Sequence, residues 1–121
     1  MNFINRGVLV LRPKQPFVDW VNSFQKGDYD VVLTLDEVAN DPTAYLTPEF
    51  EGDEDSWEFL EDNHSMLFEH ELIDWRQDEN DWPSNRDFAK FMEWFDAQFH
   101  SMVLDLLEGE IEAEADFQTD E

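Results

Sequence analysis

The chain has 121 residues, 41% of them apolar, which is enough for one compact domain and too little for two independent cores. Seven Lys+Arg against 31 Asp+Glu leave a formal net charge of −24, which argues against nucleic acid or an anionic membrane as partner, since both need a basic surface. The absence of cysteine rules out a disulfide framework, a thiol nucleophile and Cys-ligated zinc.

In chain order, the first element is a strand over Gly7-Val-Leu-Val-Leu-Arg12, a continuous apolar run that ends at Pro13 and is expected to be covered on both faces. Pro16 then suits a first helical turn. Phe17, Trp20, Val21 and Phe24 recur at helical spacing, with Gly27 at the C-cap position. Asp30-Val-Val-Leu-Thr-Leu35 reads as a second strand. After the turn signal Asn40-Asp-Pro42, Thr43–Thr47 is expected to pair back as a third.

Acids crowd residues 51–62, where the positive end of a helix dipole favours them, and a helix is expected from about Asp55 to Trp75. On a helical wheel Trp57, Leu60, His64, Leu67, Phe68, Glu71 and Trp75 share one arc, an apolar stripe that carries two ionisable residues. Ser84 is the expected N-cap of a last helix, with Asp87 at the capping-box position. Its stripe would be Phe88, Phe91, Met92, Phe95, Phe99, Met102, Val103 and Leu106. Trp94, Leu104 and Leu107 lie off that stripe, so either a second layer or a homodimer contact is expected to cover them.

The expected fold is therefore α+β in two layers: a small sheet of about three strands packed against one short and two long helices, in the order β-α-β-β-α-α. Residues 1–107 form the domain and 108–121 an acidic C-terminal tail. Eleven Phe, five Trp and two Tyr supply a core large enough to outweigh the acidity that would otherwise favour disorder. Spread over the roughly 6,800 Å² surface of a globule this size, the carboxylates stand about 15 Å apart. That exceeds a Debye length of about 8–10 Å, so the fold is expected to hold at cellular ionic strength and to weaken at low salt.

Short motifs carry little chemistry. Glu61-x-x-His64 has the spacing of one half of a di-iron carboxylate site, but it occurs once, and the strand-rich first half leaves too few helices for the rest. Asp96 with His100, and His70 with Asp74, have helical i,i+4 spacing and are expected to be surface pairs. Phosphate loops, nucleophile elbows, zincin motifs and calcium loops are absent, so no cofactor and no metal are expected. His64 and Glu71 face the apolar arc and either need partners, for which Arg12, Arg76 and Arg86 are candidates, or sit at the rim of the stripe; the sharper reading makes them a polar pocket able to move a proton.

The basic residues Arg6, Arg12, Lys14 and Lys26 all fall near the start, so negative charge concentrates over the later helices and tail. The leading expectation is a cytoplasmic, non-enzymatic interaction module, an inhibitor or adaptor that meets a basic protein partner. Glu58, Glu61 and Asp62 would steer that partner and Trp57, Trp75, Trp82 and Trp94 would anchor it. The alternatives are a small enzyme or metal-dependent protein using His64, Glu61 and Glu71, and a DNA-mimic inhibitor. The apolar run Val8–Leu11 is too short for a signal-peptide core or a membrane span.

Overall fold

A computed structural model describes residues 1–24 and 32–114. Its centre is strand β2 (Gly7–Pro13), flanked on both sides by antiparallel partners. One is β3 (Thr43–Thr47), with Leu9 opposite Tyr45. The other is β4 (Phe95–His100), with Leu9 opposite Phe99. A two-residue ribbon, β1 (Asn2–Phe3) paired with β5 (Leu104–Asp105), extends from one end of this sheet. Side chains alternate along each strand, so Leu9, Leu11 and Phe95 turn inward, while Val8, Val10 and Gln98 form the other face. Both neighbouring strands crowd Gly7: a Cβ there would lie 2.8 Å from Thr47 Oγ1 and 3.2 Å from the His100 carbonyl.

Helices cover the inward face. Helix α1 (Gln15–Asn22) starts with proline in its first turn and buries Phe17, Val18 and Val21. Helix α2 (Leu35–Val38) is a single turn closed by a capping box between Thr34 and Glu37. Helix α3 (Asp53–Ile73) runs 21 residues and buries Leu60, Leu67, Phe68 and Leu72. A 3-10 turn at Glu79–Asp81 leads to α4 (Phe88–Trp94), which buries Phe91 and Trp94. Phe68 is the hub of this interior, its ring centroid 5.8 Å from Phe91, 5.4 Å from Trp94 and 5.5 Å from Phe95. The architecture is a small α+β fold, a three-stranded antiparallel sheet packed with helices.

Four local expectations change. The long last helix stops at Trp94, and Phe95–His100 becomes edge strand β4. Phe95 and Phe99, four residues apart, fit either period, whereas Ala97 turns inward with them and Asp96 and Gln98 turn out, as only a strand allows. Sheet pairing decides the matter, because β2 satisfies its second row of backbone groups with this segment; Lys14 N donates to the Trp94 carbonyl at 2.8 Å where the chain turns. The N-cap is Asp87 itself, whose carboxylate accepts from Lys90 N, and not Ser84.

Residues 32–34 are not strand, and Leu35 opens α2. The Asn22 amide takes both backbone groups of Leu33, donating to its carbonyl at 2.8 Å and accepting from its N–H at 2.9 Å, so neither is left for a ladder. The beginning of that expected strand and the Gly27 cap lie outside the described residues. Finally, β2 is covered on one face only: Leu9 and Leu11 are fully buried, whereas Val8 and Val10 are half-buried on the open side.

Candidate functional site

Among the described residues the one buried charged side chain is Glu71, 7% exposed, on the face of α3 turned towards β3. Tyr45, on the inward face of β3, places its hydroxyl 2.5 Å from Glu71 Oε2 and 2.9 Å from His70 Nδ1. A phenol has one proton to give, so two arrangements satisfy the group. With Glu71 ionised, Tyr45 donates to the carboxylate and accepts from a protonated His70 Nδ1. With Glu71 protonated, the carboxyl donates to the phenol, which donates to His70. Burial pushes the Glu71 carboxyl above its ordinary range, against the opposing hydrogen bond from Tyr45. Burial, then the adjacent Glu71 charge, pushes the Tyr45 phenol far up, so it keeps its proton.

Beside Glu71 lies an open notch of about 250 Å³ lined by Asp41, Thr43, Asp74 and Trp75 among others. Chemically the cluster can hold a proton and shift it among carboxyl, phenol and imidazole. No group of three His, Asp or Glu side chains able to hold a metal occurs among the described residues.

His64 and Glu71 do not form a cleft pair. His64 packs on the rings of Phe88 and Phe91, and its Nδ1 lies 2.6 Å from the Glu61 carbonyl oxygen, so it bonds the helix backbone and not a carboxylate. Arg76 and Arg86 have other partners than Glu71 and His64. Arg76 binds Asp81 at 2.8 Å and covers the Phe24 ring, and Arg86 lies 3.7 Å from Glu69. Asp96 and His100 both point outward from β4 and stand roughly 13 Å apart along the strand, too far for a shared ion.

The tryptophans divide into two kinds. Trp82 and Trp94 are 8% exposed, interior side chains and not surface anchors. Trp82 donates its indole N–H to the Arg76 carbonyl, and Trp94 packs on Phe17, Trp20 and Phe68. Trp57 and Trp75 are 51% and 40% exposed. Trp57 sits in the first half of α3 with its ring set edge-on against Phe88, centroids 5.2 Å apart. On the same half of α3, Asp53, Glu54, Glu58, Glu61 and Asp62 are all exposed. Leu104 and Leu107 are exposed as well, apart from the buried Trp94.

Sequence reasoning missed Tyr45 and placed His70 with Asp74. The available signal was the alternation in Thr43-Ala-Tyr-Leu-Thr47: it sets Tyr45 on the same strand face as the buried Thr47, and a buried tyrosine needs a partner for its hydroxyl. No helix among the described residues is long and apolar enough to cross a membrane. No protein-family model matches the chain, and no similar curated protein or solved structure is found.

Proposed function

We propose that this protein is a non-enzymatic interaction module that binds a basic protein surface through the first half of α3, as an inhibitor or adaptor. The observation that carries this reading is Trp57, a half-exposed ring braced by Phe88 and set among exposed carboxylates at positions 53, 54, 58 and 61. The carboxylates would speed encounter with a cationic surface, and a braced indole loses little conformational freedom when it is covered. At −24 overall, the chain as a whole adds to that attraction.

The test is recovery of a basic partner by the full chain, followed by titration of salt and of charge. The complex is expected to loosen steeply between low and physiological salt, and the triple reversal Glu58→Lys, Glu61→Lys, Asp62→Lys is expected to weaken it at least tenfold. Trp57→Ala should weaken it by about 2 kcal/mol or more, the range of interface hot spots. Binding indifferent to salt and to the reversals would remove the proposal.

A further inference from the structure

A second surface differs in kind from the acidic helix. From Met102 the chain leaves the sheet, pairs briefly with β1 at Leu104–Asp105, and then turns, with Leu107 N donating to Asp105 Oδ1 at 2.9 Å and Gly109 adopting a positive φ of 100°. The turn puts apolar side chains in water. Leu106 and Leu107 are both 74% exposed, and Met102 and Ile111 are also exposed. Phe3 on β1, opposite Leu104, is exposed too. A two-stranded ribbon carrying several bare apolar groups gains little from its own fold and much from being covered.

Charge indicates what covers it. Between and after the leucines stand Asp105, Glu108, Glu110, Glu112 and Glu114, and no basic residue lies between 101 and 114. In a two-fold contact with another copy of this chain, those carboxylates would face their own equivalents as the leucines were desolvated, which is unfavourable. Trp94, which would enlarge a self-associating patch, is buried.

We infer that the segment Met102–Ile111 docks on a partner surface that presents an apolar strip bordered by lysine or arginine, as a cationic amphipathic helix does. The leucines and Ile111 enter the strip while Asp105, Glu108 and Glu110 meet its basic border. This rests on the proposed basic partner, but it adds apolar recognition at a site separate from Trp57.

The experiment uses the full chain and two synthetic peptides of identical lysine and leucine composition. One is patterned to gather its leucines on one helical face, and the other is scrambled. At physiological salt the patterned peptide is expected to bind at least tenfold more tightly than the scrambled one. Leu106→Ser/Leu107→Ser/Ile111→Ser is expected to erase that preference, with the urea midpoint unchanged because the side chains removed are already exposed. Reversal of Glu58, Glu61 and Asp62 should weaken both peptides and leave the preference intact.

Equal binding of the two peptides, or a preference that survives the serine variant, overturns the docking inference and leaves the acidic reading standing. Failure of both peptides to bind removes the basic partner as well. A concentration-dependent doubling of mass in light scattering, abolished by the serine variant, would assign the surface to a second copy and likewise overturn the inference.

Discussion

Phe68 and Glu71 lie three residues apart on α3, both are buried, and they are held in opposite ways. Phe68 meets three other rings at centroid distances between 5.4 and 5.8 Å, and its contribution comes from apolar area and close contact, neither of which depends on pH. Glu71 is kept chiefly by a directed hydrogen bond from the Tyr45 phenol, beside His70 and a notch with two further carboxylates, Asp41 and Asp74. Burial that stabilises the ring works against the charge, and Tyr45, His70 and Thr43 offset it in part. One turn of helix thus carries one contact set that is indifferent to pH and one that depends on it.

The largest break in this comparison is Phe68→Ala. It should cost about 3–5 kcal/mol, as core phenylalanine truncations do, lowering the urea midpoint with little change in slope. If the loss is under about 1 kcal/mol, the ring cluster is not the centre of the core.

Tyr45→Phe should cost less, about 1–3 kcal/mol, because it leaves the Glu71 carboxylate buried without its main donor. Pairing it with Glu71→Leu in a double-mutant cycle should return a coupling of about 0.5–3 kcal/mol; additive losses would mean that the two groups do not interact.

Titration sharpens the contrast further. The Glu71 carboxyl is raised in the folded protein above its ordinary value of 4.5. Its favourable contribution is therefore complete below about pH 4.5 and is lost as pH rises through the raised value, because the folded state then holds a buried charge that the unfolded state solvates. Glu71→Gln should remove that drop. The repulsion among the other carboxylates changes with pH in both proteins, so the difference between their stability curves isolates Glu71. Parallel curves would place the residue in water. The smallest effect is expected at an exposed carboxylate of the same helix: Glu58→Gln should move stability by no more than about 0.5 kcal/mol.

Much of this molecule is legible from residue order. The apolar run Gly7–Arg12, the Pro16 helix start, the strand at Thr43–Thr47 and the long helix through Leu60, Leu67 and Phe68 each follow from a local pattern, and each is present. The place of Glu71 on the apolar arc of α3 followed from its helical angle, although its burial and its partners did not. Tyr45 comes from a different element, 26 residues earlier, and no local period links the two.

Local chemistry determined where most elements start, the apolar stripe of α3 through Leu60, Leu67 and Phe68, and how negative the exterior is, because propensity, capping and charge act over a few residues. Tertiary structure alone decided that Phe95–His100 is a strand, that Leu33 binds Asn22 instead of a ladder, and that Trp82 and Trp94 are interior while Trp57 is not. The physical reason is common to all of these. Each outcome depends on backbone groups or surface that a distant segment must satisfy or cover, and a spacing of four residues serves a helix and a strand equally until a neighbouring strand offers its hydrogen bonds.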